Sequence, residues 1–306
     1  MRKLIAAIYV LFFSTSLLAQ QDVQYSQFIF NKMAYNPAYA GSKEAMTLGA
    51  LYRHQWQGVE GAPRTFSAFA HAPFLNNRCG AGLAITSDKI GMVDNSYIDL
   101  NYAYRIALKK ETVLSVGLLT RFEYSQVDWL KAQTIDFGDQ LIPVETNQSG
   151  VNFGMGMYLS SKNYYVGLSV PSLLKTTLYN SSEFFGINEI SKYRSYYLMG
   201  GLIARVGENV MFKPAMMISY SPNAPFELDL NASFLFMNAF WIGGTYRLGD
   251  SVDAVLQYQL SKQFKLGIAT DFTLSELRDY TSGSFEVMIE YLFFYDQEGI
   301  NNIRFF

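Results

Sequence analysis

Two histidines (His54 and His71), one cysteine (Cys79) and the neighbouring carboxylates Asp136 and Asp139 are the side chains best suited to acid–base, nucleophilic or metal chemistry. A hydrolase would need a nucleophile within hydrogen-bond reach of a base. His54 falls on the first predicted strand and His71 on the second, so the two can be neighbours in space. Neither stands in a nucleophile motif, and the chain has no Gly-x-Ser-x-Gly turn. His-Glu-x-x-His and calcium-loop spacings are missing as well. Asp136 and Asp139 lie in a polar predicted loop with too few companion ligands for a calcium site, and solvated charge is their ordinary reading. A single cysteine excludes an intramolecular disulfide and a multi-cysteine metal site. No enzyme is expected, and no catalytic, cofactor-binding or metal-ligating residue is assigned.

The elements that carry these residues are strands. Hydrophobic residues make up 50% of the 306, aromatic residues 16% and charged residues only 16%. Soluble domains carry about 25% charged residues. The aromatic excess suits strands and the aromatic girdles of membrane barrels. A net charge of −2 gives no basic field for nucleic acid. Residues 1–19 read as a secretory signal peptide: Arg2 and Lys3, then apolar Leu4 to Phe13, then Ser14, Ser16 and Ala19 before Gln20. No later stretch is long and apolar enough for a transmembrane helix, so insertion must be by barrel.

From about residue 45 to 294, roughly fourteen segments alternate apolar and polar residues with period two. In Tyr97 to Leu108, Ile98, Leu100, Tyr102 and Tyr104 oppose Asp99, Asn101 and Arg105. Phe226 to Phe236, Val252 to Leu260 and Phe285 to Phe293 repeat the pattern. Either a soluble sandwich with its apolar face inside or a barrel with its apolar face in lipid would alternate this way. Segment lengths of about 9–13 residues favour the barrel, since soluble strands average about 5–6 and membrane strands about 9–11. Connectors alternate as well. Asn76-Asn77-Arg78, Lys109-Lys110-Glu111 and Met237-Asn238 are tight, whereas Gln126 to Ser149, Pro171 to Lys192 and Leu274 to Gly283 are long. Outer-membrane barrels place short turns in the periplasm and longer loops outside. The fold expected is an all-β, antiparallel, up-and-down transmembrane barrel with both chain ends periplasmic. Residues 20–44 precede it as a lumenal or periplasmic segment, and 295–306 follow it as a tail.

Ordered motifs cluster before and within the first strands. Gln24-Tyr25-Ser26-Gln27-Phe28 leads to Phe30-Asn31, then to Asn36-Pro37-Ala38-Tyr39-Ala40-Gly41. Asn-Pro favours a turn, and Gly41 allows a positive φ before the strand. Arg53, Gln55 and Trp56 end the first strand, and Gly61-Ala62-Pro63 follow in a predicted tight external loop. His71-Ala72-Pro73 come after the second strand, and Asp88-Lys89-Ile90-Gly91 later. This set resembles the PorP/SprF family of outer-membrane proteins of the type IX secretion and gliding machinery. The matching positions are Ser26, Gln27, Phe28, Phe30 and Asn31; Asn36 to Gly41; Arg53, Gln55 and Trp56; Gly61, Ala62 and Pro63; His71 and Pro73; Asp88 and Gly91. The ending Asn302-Ile303-Arg304-Phe305-Phe306 is similar to the family's Asn-Pro-Arg-Tyr-Phe, with Ile303 where proline is common. Lys32 replaces a frequent proline after the Phe-Asn pair.

The resemblance implies a non-enzymatic barrel in the outer membrane of a Gram-negative bacterium. Its partners would be membrane lipid, type IX secretion components and a secreted surface protein such as an adhesin, whose export or anchoring it assists. The motif residues are read as turn-shaping or partner-contacting, with Trp56 a candidate interface anchor, and Arg304 and Phe306 parts of a tail that could dock on a periplasmic protein. The rival reading is a passive channel or apolar-solute transporter, which would conduct or take up solute without secretion partners.

Overall fold

In the computed structural model the described residues are 23–293 apart from 44, 110, 130–144, 181–188, 193 and 223. Asp136, Asp139, the expected signal peptide and the C-terminal residues with Arg304 and Phe306 lie outside them. Seven strands run antiparallel from the start: β1 (Met46–His54), β2 (Arg64–Phe74), β3 (Cys79–Ile90), β4 (Val93–Lys109), β5 (Thr112–Asp128), β6 (Glu145–Ser160) and β7 (Tyr164–Val170). β8 (Thr176–Asn180) and β9 (Glu189–Lys192) form a separate hairpin. β10 (Tyr196–Leu202) and β11 (Ala204–Gly207) are two parts of one interrupted strand, since both pair with β12 (Val210–Tyr220). The sheet continues through β13 (Glu227–Phe236), β14 (Phe240–Arg247), β15 (Ser251–Gln259), β16 (Phe264–Thr273) and β17 (Ser284–Phe293). β17 then pairs with β1 from Met46 opposite Phe293 to His54 opposite Phe285. The result is a closed antiparallel barrel of 14 strands, and closure leaves no sheet edge along the seam.

The two faces decide between sandwich and membrane barrel. On β4, Leu100 is 48% exposed while Asn101 is 6% exposed. Ile98, Tyr102 and Tyr104 are exposed like Leu100, whereas Asp99, Ala103 and Arg105 are buried. Phe234, Leu256 and Ile268 are likewise exposed, with Ser233, Gln257 and Ala269 buried beside them. Apolar residues outside and polar residues inside are stable where the outer medium is lipid. Both ends of the barrel sheet, Met46 and Phe293, lie at the rim formed by the short turns.

Some boundaries depart from the sequence reading. β4 and β5 run 17 residues each, longer than the roughly 9–11 needed to cross a bilayer. The pairing of β5 with β6 persists to Asp128 opposite Glu145, so strand takes in both ends of the expected Gln126 to Ser149 connector. The Pro171 to Lys192 connector contains the β8–β9 hairpin. Connector lengths do not alternate strictly, because β3 and β4 are joined at the long-connector rim by Gly91-Met92 alone. His71-Ala72-Pro73 lie within β2, not after it, because β2 keeps its pairing with β3 as far as Phe74 opposite Cys79. Phe226 lies just ahead of β13.

The lumenal plug and its cradle

Residues 23–43 occupy the barrel lumen. Tyr25, Phe28, Ile29, Phe30, Met33, Tyr35, Ala38, Tyr39 and Ala40 form one buried apolar cluster with wall residues such as Leu51, Tyr158, Tyr165, Met199 and Trp241. Two short 3-10 turns, Lys32–Ala34 and Pro37–Tyr39, compact the segment. The second begins as its residues require. The Asn36 side chain accepts the Ala38 N–H at 3.0 Å, and Pro37 occupies the first helical position, where no donor is needed. The same Asn36 amide donates to the Met157 carbonyl of β6 at 2.9 Å. One side chain therefore caps the turn and fastens it to the wall.

The wall accepts this segment through missing side chains. A Cβ at Gly80 would lie 2.0 Å from the Ala40 carbonyl oxygen, and one at Gly117 would lie 2.2 Å from the Ala38 nitrogen. At Gly156 it would meet the Asn36 side chain at 2.1 Å. Gly41 has φ +74° and its own Cβ would lie 2.7 Å from Gly80 Cα, so two glycines meet where the plug leaves the lumen. The Gly41 N–H donates to His71 Nδ1 at 3.3 Å, and His71 packs edge-on against Tyr39 with centroids 5.6 Å apart. His71 is thus a plug contact. His54 instead packs against Phe285 on β17.

A buried ionic node holds the other end. Arg53 on β1 donates to Asp271 at 2.6 Å and to Glu286 at 3.3 Å, and also to the Ser26 hydroxyl. Ser26 Oγ donates to Asp271 at 2.5 Å. The backbone N–H groups of Ser26 and Gln27 donate to the two Glu286 oxygens at 3.0 and 3.1 Å. Gln27 Oε1 accepts from Gln257 at 3.3 Å. Asn31 closes the turn by donating its N–H to the Gln27 carbonyl at 3.2 Å. Buried charges are tolerated when paired and hydrogen-bonded, and here plug atoms supply part of the pairing, although Arg53 Nε, Gln27 Nε2 and Gln257 Oε1 are buried without a hydrogen-bond partner. Nearer the short-turn rim, Lys43 and Lys265 share Glu290 at 2.5 and 3.0 Å. Lys32 lies over the rings of Tyr39 and Tyr165 at 5.1 and 4.7 Å, as Lys213 does over Phe30 and Trp241 at 5.5 and 5.2 Å.

The remaining motif residues brace connectors at the opposite rim. Gln55 N–H donates to the Pro63 carbonyl at 3.0 Å, and Trp56 N–H to Ser284 Oγ at 3.3 Å. Trp56 has φ 45° and is half-buried. Ala62 N–H closes a turn onto Val59, and Gly61, φ +72°, offers its carbonyl to the Gly91 N–H at 2.8 Å. Asp88 accepts from Thr65 at 2.6 Å. Arg53 and His71 therefore join the plug motifs at one cradle, while Gln55 to Pro63 do not reach it. Sequence reasoning missed Asp271, Glu290, Lys213 and the glycines as plug partners. Their inward position on the strand alternation was visible; their convergence on residues 23–43 was not.

Between plug and wall a cavity of about 40 Å³ is lined by Tyr25, Asn31, Tyr35, Tyr97 and the paired Asp99 and Arg121, room for little more than a water molecule. Asp99 and Arg121 form a two-pronged pair at 2.6 and 2.7 Å. Among the described residues no group of three or more histidine, cysteine or acidic side chains has the geometry to hold a metal ion.

Solved outer-membrane barrels share the fold. The P. putida toluene transporter TodX superposes with a TM-score of 0.50 at 9% identity, covering 92% of this chain and 100% of its own. The CymD monoaromatic hydrocarbon channel gives 0.50 at 11% identity, over 89% of this chain and 94% of its own. At such identity the likeness establishes the barrel fold alone. No curated protein matches the sequence. The family model described as type IX secretion system membrane protein PorP/SprF matches residues 17–291. The motifs that form plug and cradle lie within that match, and the chain belongs to the PorP/SprF family.

Proposed function

We propose that this protein is a non-enzymatic accessory of type IX secretion, a plugged outer-membrane barrel that assists export of a secreted surface protein or holds it at the cell surface. An adhesin of gliding cells is the kind of partner meant. The observation that carries this reading is the filled lumen. Gln27, Ile29, Asn36, Ala38 and Ala40 are wholly buried against the wall, and a plug packed in this way counts against an open passive channel. The outer face supplies anchorage in lipid, and binding energy would come from a few aromatic or arginine anchors in the connectors. A mild-detergent pull-down of the tagged protein from its native outer membrane, read by mass spectrometry, tests it. Recovery of a secreted surface protein or secretion components supports the reading. Recovery of the barrel alone, under conditions that preserve other membrane complexes, overturns it.

A further inference from the structure

The plug has a direction, and β17 serves as a ruler for it. Glu286 is the third residue of β17 from the long-connector rim and binds Ser26 and Gln27. Glu290, four residues nearer the short-turn rim, binds Lys43. Those four residues span about 13 Å along the strand. β16 agrees: Asp271, two residues from its long-connector end, binds Ser26, whereas Lys265 near its other end shares Glu290 with Lys43. Gln24 reaches still nearer the long-connector rim and donates to Glu227, the first residue of β13. At the opposite end Gly41 lies against Gly80 and His71, beside the short turn that joins β2 to β3.

Short turns face the periplasm and longer connectors the exterior in barrels of this kind. We propose that the plug is threaded from outside to inside. The chain enters the lumen at the extracellular mouth with Val23 and Gln24, descends, and leaves at the periplasmic rim through Gly41 to join β1. The amino end of the plug is then the part accessible at the cell surface, in place of the periplasmic amino end expected from an even strand count. Among plug residues, only Val23, Gln24, Ala34 and Lys43 are more than marginally exposed, so Val23 and Gln24 are the part of the plug that a probe arriving from the long-connector side can reach.

Single cysteines test this in intact cells. In a Cys79→Ser background, which removes a buried native thiol, Val23→Cys is treated with a membrane-impermeant maleimide before and after permeabilisation. Tyr280→Cys, on the exposed connector before β17, and Asn77→Cys, on the short turn after β2, report the two sides. The expected result is equal labelling of Val23→Cys and Tyr280→Cys before and after permeabilisation, with Asn77→Cys labelled only after it. Labelling of Val23→Cys only together with Asn77→Cys overturns the threading, and an unlabelled Tyr280→Cys in intact cells overturns the orientation beneath it. Gln24→Cys, at the partly exposed neighbouring position nearer the long-connector rim, is labelled in parallel, and protection of both positions before and after permeabilisation overturns the accessible amino end. None of these results depends on whether a secretion partner is recovered, so this inference and the functional reading can fail separately.

Discussion

Single atoms decide whether the plug seats. At Gly117 the missing Cβ is replaced by backbone of the plug, which has little room to give. Gly117→Val should therefore dislodge residues 36–40, and planar-bilayer recordings should show ion conductance where the native protein shows little. Unchanged conductance in a folded Gly117→Val barrel would mean the plug is not a seal. At the ionic node, Arg53→Met leaves Asp271 and Glu286 side by side without their shared cation. Breaking a buried pair in this way costs about 3–5 kcal/mol, and thermal unfolding in detergent should register the loss. Equal stability of Arg53→Met and the native protein would show that water reaches the node.

At the scale of elements, strand and plug answer different changes. Leu100→Arg puts a charge on the lipid face of β4, a cost of about 2–4 kcal/mol at the midplane. It should deplete the heat-modifiable barrel species in outer-membrane fractions. The neighbouring Asn101 faces inward beside Gly82, where an added Cβ would meet Met33 of the plug at 2.6 Å. Asn101→Arg should assemble, because its charge points away from lipid, but should crowd the plug and raise conductance. Equal assembly defects in the two variants would contradict the assignment of the faces.

For the whole molecule, lipid-facing aromatics and aliphatics line the outside of the barrel while plug and wall share the buried charges. On the proposed function, the connectors would carry recognition of the partner. Shortening the 129–144 connector and the β8–β9 hairpin together should abolish co-purification of the partner while leaving barrel assembly intact. Retention of every partner by that variant would move the contact to the periplasmic rim.

Period-two alternation, strand lengths and turn residues were enough to determine a membrane barrel, its inner and outer faces and its strand count, because each depends on local pattern and on the sign of the surrounding medium. The ordered motifs from Gln24 to Gly91 were enough to reach the family. What residues 36–41 and Arg53 are for was not legible, because their partners are distant in the chain: Asn36 meets Met157, Ala38 meets Gly117, and Arg53 meets Asp271 and Glu286. Asn-Pro and Gly41 signalled turns, and turns alone do not say what they turn against. Barrel closure decided the rest. It brings β17 beside β1, sets carboxylates where the plug can pair with them, and lets wall glycines admit backbone that a side chain would exclude.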